Sequence, residues 1–168
     1  MGTATPPRIA DDDLNGEATR DLLALHLRGM RNGSPPGHCH VLDLDGLRTP
    51  DVRVWSVWFG DALAGVGALK ALASDAGEVK SMRTHPDHLR RGVGAALLEH
   101  LVGEARRRGY RRLSLETGSG SGFEAALALY RRRGFVDGEA FGAYRASAFN
   151  RFLHLDLWSG SPAPTAGA

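Results

Sequence analysis

The feature that most constrains this fold is a strand-like segment followed by a glycine-containing loop and a long amphipathic helix. The segment 78–84 (EVKSMRT) has the composition of a β-strand, and Gly92 and Gly94 lie where the helix begins. Apolar residues at helical spacing predict the helix, and Gly109 marks its end. These apolar residues are Val93, Leu97, Leu98, Leu101, Val102 and Ala105. A strand followed directly by such a helix indicates that helices pack against a sheet.

Similar patterns along the rest of the chain predict an α/β (α+β) protein with a mixed, mostly antiparallel twisted sheet flanked by helices. Apolar residues spaced from Leu14 to Leu25 predict a first helix that ends near Gly29. Gly60 and Asp61 predict a tight turn between two strands. After the first helix, the patterns predict strands at 51–59, 62–72, 78–84, 111–116 and 151–158. They predict helices at 93–105 and 123–130.

Length and composition limit the classes of protein to which this chain can belong. The 168 residues suit one domain at 8–158, with flexible tails at 1–7 and 159–168, where Gly, Pro and small residues dominate. A formal net charge of +2 gives weak support to nucleic-acid binding. No apolar run approaches the ~18 residues of a membrane span, and we expect no signal peptide. Because Cys39 is the only cysteine, the simplest expectation is a cytoplasmic protein.

The start of the long helix has the properties of a phosphate-binding site. The first N–H groups of a helix have no partners within it, and the helix dipole is positive there. Glycine lets a large anion approach the backbone, and Arg90 and Arg91 add positive charge. The loop is not a P-loop, because it lacks Gly-Lys-Ser/Thr, and Leu97 stands where a dinucleotide fingerprint needs a third glycine. An ordinary helix start with solvated arginines is the alternative.

The sequence SMRTHPDHLRRGVGAALLEHL, followed by AALALYRRRGF, resembles the GCN5-related N-acetyltransferase (GNAT) superfamily, and in particular a bacterial small-molecule-type subgroup. The resemblance covers roughly residues 50–158. It implies a sheet that splays between the strands at 78–84 and 112–116, and acetyl-CoA as co-substrate without a metal. The cofactor-binding residues that it implies are Met82, Arg83, Thr84, Leu89, Arg90, Arg91, Gly92, Val93, Gly94 and Ala95.

Two positions depart from the pattern of this family. Leu89 stands where relatives carry Gln or Arg. Backbone N–H groups do most of the binding there, so we expect pyrophosphate binding to persist. Phe123 stands where many relatives carry an Asn, so we expect a cofactor contact to be lost or replaced from Thr117 or Ser119.

The resemblance also implies catalytic roles. An amine must lose a proton, attack the thioester and release a thiolate. Tyr130 is implied as the acid that protonates the thiolate, since a Tyr hydroxyl has a pKa of about 10 and a thiol about 8.5. Its ring also fits a core position. The Met82 N–H is the implied donor to the thioester oxygen. Glu78 is the implied base, acting through water, and Glu116 or water alone are the alternatives.

Several His residues and the single Cys could suggest a metal site. They form no complete ligand set at a recognised spacing, so we expect no metal. His38 and His40 precede the sheet, where relatives often bind the acceptor, and they are candidates for lining that pocket. The residues considered are His38, Cys39, His40, His85 and His88.

Together these features predict an acetyl-CoA-dependent N-acetyltransferase. The acceptor is expected to be a primary amine, of a small molecule rather than of a protein, with no nucleic-acid or membrane partner. A homodimer is one arrangement that the sequence allows. A catalytically silent acetyl-CoA-binding module that regulates a partner is the alternative, and the presence of Tyr130 favours the enzyme.

Overall fold

The chain folds around a sheet of seven strands, as described by a computed structural model for residues 5–157. The elements are β1 (Arg8–Asp11), α1 (Glu17–Gly33), α2 (Leu44–Leu47), β2 (Val52–Phe59), β3 (Ala62–Ala73), β4 (Ala76–Thr84), α3 (Val93–Arg107), β5 (Arg112–Thr117), α4 (Glu124–Arg133), β6 (Val136–Asp137) and β7 (Arg151–Asp156). The strand order is β1-β2-β3-β4-β5-β7-β6, and all neighbours are antiparallel except β4 and β5. The predicted fold class is therefore confirmed.

Hydrophobic residues on both faces of the central strands form two clusters. On one face, Leu22 of α1 packs in a cluster with Val66 of β3. On the other face, Leu101 of α3 packs in a cluster with Leu69 and Val79. The sheet is therefore the middle layer between α1 on one side and α3 and α4 on the other, which is a common way to bury both faces of a sheet.

The sheet opens between β4 and β5. These strands are parallel, and their pairing joins only residues 76–78 to residues 112–114. Further along, β4 contains a bulge at Ser81, whose φ of 56° lies in the left-handed region. Ser81 and Met82 lie opposite the single residue Gly67 of β3. The predicted splay is thus present, and it leaves the second half of β4 without a partner on its β5 side.

The N-terminal part of the fold differs from the prediction. The first helix begins at Glu17 and continues beyond Gly29 to Gly33. Leu14 lies outside it with a φ of 66°, and its N–H donates to the Asp12 carboxylate at 2.8 Å. The Leu14 side chain is nevertheless buried in the cluster under α1. Its apolar character thus reflects core packing rather than a helical conformation.

Two short edge strands were not predicted. β1 pairs along its length with β2, and β6 pairs with β7 at the opposite edge. Strands this short carry little alternation, so pairing in the folded protein decides their conformation. The predicted tails at 1–7 and 159–168 lie outside the described residues, apart from residues 5–7. Between residues 5 and 157, no helix has the length and apolar character needed to cross a membrane.

Candidate active site

The loop between β4 and α3 presents backbone N–H groups at the start of α3. After a 3-10 turn at Pro86–His88, Arg90 and Gly92 adopt left-handed φ angles of 62° and 78°. Gly92 is the N-cap of α3, and it has no side chain with which to cap the first-turn N–H groups. These groups and the positive end of the helix dipole suit an anion such as a pyrophosphate.

The two arginines of this loop, Arg90 and Arg91, differ in their contacts with neighbouring side chains. The Arg91 guanidinium carbon lies 3.9 Å from the centre of the Phe59 ring, and its Nη1 is 2.7 Å from Nδ1 of His88. Arg90 is exposed, and so is Leu89 beside it. Arg91 therefore adds positive charge from a fixed position beside the loop, whereas Arg90 can turn toward an incoming ligand.

A groove of about 510 Å³ runs from this loop along the end of β4 and the facing side of α4. The predicted cofactor residues that line it are Met82, Arg83, Thr84, Leu89 and Gly94. The others, which are Arg90, Arg91, Gly92, Val93 and Ala95, lie at the start of α3 outside its lining. The Val93 side chain is buried in the core, so only the backbone of this residue can face a cofactor.

A second cavity, of about 200 Å³, lies where β4 and β5 diverge. It extends toward α1 and the loop that follows α1. The residues that line both this cavity and the groove are Met82, Arg83, Gly122, Ala126 and Tyr130. The two spaces therefore adjoin each other, and Tyr130 borders both of them.

The bulge at Ser81 changes which way the side chains of β4 face. Simple alternation would place Glu78 and Met82 on the same face of the strand. Instead, a Cβ added at Gly67 would lie 2.8 Å from both Met82 Sδ and Leu97 Cδ2, so Met82 packs toward α3. Val79 lies in the cluster under α3, and Glu78 therefore faces the opposite side. The bulge thus turns the Met82 side chain away from that of Glu78, although both residues line the second cavity.

Glu78 belongs to a buried group of polar side chains in the cavity wall. Its Oε2 accepts hydrogen bonds from Lys80 Nζ at 3.0 Å and from the Tyr144 hydroxyl at 2.6 Å. Lys80 Nζ also donates to the Tyr144 oxygen at 2.7 Å. Burial and the nearby Glu78 charge raise the pKa of Tyr144, so its hydroxyl remains a donor. The predicted base is therefore held by two partners from its own chain.

Glu116 supplies a second carboxyl group to the same cavity. Its Oε2 accepts a hydrogen bond from Asn150 Nδ2 at 3.1 Å. Burial raises the pKa of Glu116 to about 7, and the Glu78 charge adds to this rise while Lys80 opposes it. A carboxyl group with such a pKa can take a proton from a ligand near neutral pH.

Tyr130 lies on α4 at the junction of the groove and the cavity. Only 7% of it is exposed, and its ring meets Phe135 edge-on with the ring centres 5.8 Å apart. Burial raises the pKa of Tyr130, so its phenol is protonated at neutral pH. Tyr130 therefore packs in the core and also borders both ligand spaces.

Phe123 packs into the wall of the cavity. Its ring meets Phe149 edge-on at 5.5 Å, and a Cβ added at Gly118 would lie 2.7 Å from the Phe123 ring. Of the two residues expected to replace the family's Asn contact, Thr117 lines the cavity. Ser119 lines neither the cavity nor the groove.

His38 and His40, which lie in the loop between α1 and α2, have different surroundings. His40 lines the cavity and meets Tyr144 edge-on at 5.2 Å. His38 does not line it, and its Nδ1 lies 3.4 Å from Ser147 Oγ and 3.5 Å from Asn150 Oδ1. Within the described part of the chain, no group of three or more His, Cys, Asp or Glu side chains is placed to hold a metal.

The sequence analysis missed several polar residues that line the cavity or bond to its lining, among them His26, Lys80, Tyr144 and Asn150. Lys80 could have been found, because it stands two residues after Glu78 and so shares its face of β4. His26 lies on the sheet side of α1, where a buried His resembles any core residue. Tyr144 and Asn150 belong to the connection between β6 and β7, which has no periodic pattern.

Comparison with known proteins finds similarity along most of the chain. The model of the acetyltransferase (GNAT) family matches residues 19–135. The chain is 48% identical over 156 residues to the uncharacterized N-acetyltransferase YedL of Escherichia coli (strain K12), with 93% of this chain and 98% of YedL covered. It is 50% identical over 149 residues to the uncharacterized N-acetyltransferase YsnE of Bacillus subtilis (strain 168), with 89% and 99% covered.

A solved structure of a Bacillus subtilis acetyltransferase in complex with CoA has the same fold. It matches with a TM-score of 0.69 at 21% identity, and the match covers 91% of this chain and 100% of that one. The splayed sheet and the loop before α3 agree with this likeness. The family match and the two relatives show that this chain belongs to the GNAT family of acetyltransferases and is an acyltransferase.

Proposed function

We propose that this enzyme transfers the acetyl group of acetyl-CoA to a primary amine of a small molecule, by direct attack of the amine on the thioester. The main support for this proposal is that Tyr130 borders both the groove and the second cavity, and that Glu116 lies in the wall of the cavity. We call the groove the cofactor groove and the second cavity the acceptor cavity.

The cofactor groove offers backbone groups along its whole length. The first-turn N–H groups of α3, around Gly94, suit the pyrophosphate of acetyl-CoA. The unpaired half of β4 leaves the backbone of Met82 and Thr84 available to the pantetheine arm. The Met82 N–H is the proposed donor to the thioester oxygen, where negative charge develops as the amine attacks.

The proposed reaction moves two protons. Glu116 takes a proton from the amine, and the amine nitrogen forms a bond to the thioester carbon. The carbon–sulfur bond then breaks, and the sulfur leaves with the electron pair. Tyr130 donates its proton to this sulfur, and solvent returns a proton to Tyr130. Glu78, held by Lys80 and Tyr144, is the competing base.

The size of the acceptor cavity favours a small molecule. Its volume of about 200 Å³ lies below the ~300–1,000 Å³ that is usual for drug-sized ligands. Its walls are side chains from α1, β4, β5 and the start of α4. The single cysteine in the sequence also suits the reducing cytoplasm, where we propose that the reaction takes place.

The choice between the two carboxylates can be tested by the pH dependence of kcat/KM. If Glu116 is the base, the wild-type rate falls as pH drops through about 7, because Glu116 then becomes protonated. The pH profile of Glu116→Gln should lack this fall near pH 7. It should keep only the fall that comes from protonation of the acceptor amine. The rate loss should be largest below the pKa of that amine and should shrink at high pH.

Glu78→Gln is the matched variant for this experiment. It should disturb Lys80 and Tyr144 and keep the acid limb of the profile, shifted to lower pH because the Glu78 charge no longer raises the pKa of Glu116. The opposite pattern, in which the limb disappears only in Glu78→Gln, would assign the base to Glu78. If no amine causes release of the CoA thiol from acetyl-CoA, the proposed function is wrong.

A further inference from the structure

We propose that the acceptor carries a carboxylate as well as its amine, and that the Arg83 side chain binds this carboxylate. The inference rests on the proposed function, because it concerns the acceptor of that same reaction. The sequence resemblance implied only a cofactor role for Arg83. Its guanidinium, however, lies toward α1, in the wall of the acceptor cavity.

Arg83 is a cation without a counter-ion. Between residues 5 and 157, it forms no salt bridge and no side-chain hydrogen bond with any other residue. The other cation of the cavity, Lys80, is already paired with Glu78 at 3.0 Å. Arg83 is half-buried, and an unpaired guanidinium in a cavity wall can form charge-assisted hydrogen bonds with an anionic ligand.

The surface of α1 leaves room for this guanidinium. A Cβ added at Gly29 would lie 3.3 Å from Arg83 Nη1 and 3.5 Å from Nη2. Gly29 lies within the helix, where its φ needs no glycine, so the absence of a side chain serves the close approach of Arg83. The contact keeps the guanidinium against one wall, with its remaining N–H groups available to a ligand.

Two unpartnered polar atoms lie in the same cavity. His26 is 7% exposed, and its Nδ1 is buried without a hydrogen-bond partner among the described residues. The same is true of Ser81 Oγ. Burial and the Arg83 charge lower the pKa of His26 to about 4, so its ring is neutral at neutral pH. Since buried polar atoms normally have partners, these atoms indicate further contacts for a polar ligand.

Different charged groups surround His26 and Glu116 within the cavity. The charge of Arg83 lowers the pKa of His26. The charge of Lys80 lowers the pKa of Glu116, and the charge of Glu78 raises it. Because Arg83 and Glu116 both line the cavity, an acceptor whose carboxylate binds Arg83 can present its amine to Glu116, the proposed base. Small amino acids and other small molecules with one amine and one carboxylate fit both ends.

Matched sets of acceptors test this inference directly. Each set contains a small amino acid, its carboxamide and its decarboxylated amine, and release of CoA thiol is measured with saturating acetyl-CoA. For the wild type we expect kcat/KM to be about tenfold or more higher for the acid, as for a charge-assisted hydrogen bond. Arg83→Gln should remove this preference, mainly by raising KM for the acid.

Two controls separate acceptor binding from other effects. Calorimetry with acetyl-CoA shows whether Arg83→Gln changes cofactor affinity, because Arg83 also borders the cofactor groove. Arg20→Gln removes the same charge from an exposed position of α1 and should leave the preference for the acid unchanged.

A second variant displaces Arg83 without removing it. Gly29→Ala should push the guanidinium by a few tenths of an ångström and raise KM for the acid more than for the amide. Its control is Gly103→Ala in α3, where an added Cβ makes only an ordinary contact of 3.6 Å with Arg107 Nη1. Both changes replace a helical glycine with alanine, so differences in helix propensity cancel.

The possible results separate the two proposals. Equal kcat/KM for acid, amide and amine would overturn the carboxylate inference while leaving the acetyltransferase activity in place. If Arg83→Gln still prefers the acid, Arg83 does not bind the acceptor carboxylate, and the inference is wrong. Absence of thiol release with every amine would overturn the proposed function and the inference together.

Discussion

At the scale of single residues, Tyr130 occupies a core position and is also the proposed general acid. Its ring is buried against Phe135, and the residue also borders the cofactor groove and the acceptor cavity. The apolar spacing of α4 predicts the buried ring, and only the family resemblance suggests the acid. Burial raises the pKa of the phenol, so the hydroxyl is protonated at neutral pH, as the proposed acid requires.

Tyr130→Phe should lower turnover and leave acetyl-CoA affinity nearly unchanged. The substitution keeps the ring and removes only the hydroxyl, whose proposed interaction forms as the thiolate leaves. General acid catalysis contributes about 10²–10⁴-fold, so a large fall in kcat is expected when chemistry limits the rate. Single-turnover kinetics and calorimetry with acetyl-CoA measure the two effects separately.

Tyr110→Phe is the control for this change. Tyr110 is also a buried tyrosine, 6% exposed, and it packs near Gly77 away from the cofactor groove. It should keep wild-type turnover. Full turnover of Tyr130→Phe under chemistry-limited conditions would show that Tyr130 is a core residue only.

At the scale of elements, β4, the following loop and α3 form one functional unit. The strand contains a bulge at Ser81, the loop contains two residues with left-handed φ, and α3 begins with a glycine cap. The proposed anion site uses the backbone N–H groups of the first turn of α3, so we expect it to depend on backbone geometry more than on the side chain at Leu89.

Gly94→Asp should strongly weaken acetyl-CoA binding while the fold persists. A side chain at this position lines the cofactor groove, and its Cβ would lie 3.1 Å from Leu129 Cδ2. The added carboxylate would stand close to where the pyrophosphate is proposed to bind, so like charges would repel. Calorimetry measures the affinity, and circular dichroism checks the fold.

Gly103→Asp is the matched control, because it makes the same change on α3 away from the groove. It should bind acetyl-CoA like the wild type. Wild-type affinity in a folded Gly94→Asp protein would contradict the assignment of the pyrophosphate to the start of α3.

At the scale of the whole molecule, α1 closes one face of the sheet and carries a buried His26 into the acceptor cavity. Burial and the Arg83 charge hold the pKa of His26 at about 4 in the folded protein, against about 6.5 when exposed. The unfolded chain therefore binds a proton that the folded protein rejects between these values. Stability is fully present above pH 6.5 and falls as pH drops toward 4.

This linkage predicts a loss of about 3 kcal/mol in the free energy of unfolding between pH 7 and pH 4 from His26 alone. His26→Gln cannot take up the proton, so its stability should fall less over the same range. Urea unfolding at a series of pH values measures the difference between the two proteins. Parallel pH profiles would show that protonation of His26 does not limit stability in acid.

The sequence by itself determined the helices α3 and α4, the central strands and the loop at the start of α3. Each of these has a regular apolar spacing or a glycine at a required turn, and both signals are local. The family resemblance followed from the same local stretches. Conversely, β1 and β6 are too short to carry such a signal, and Leu14 is buried without being helical.

The tertiary structure alone decided the composition of the acceptor cavity. Lys80, Glu116 and Asn150 come together because β4 splays from β5 and a distant connection returns beside them. Arg83 faces this cavity, and Met82 packs toward α3, because the bulge at Ser81 shifts the alternation of β4. A splay and a bulge depend on pairing with neighbouring strands, so the local sequence cannot specify which residues they bring together.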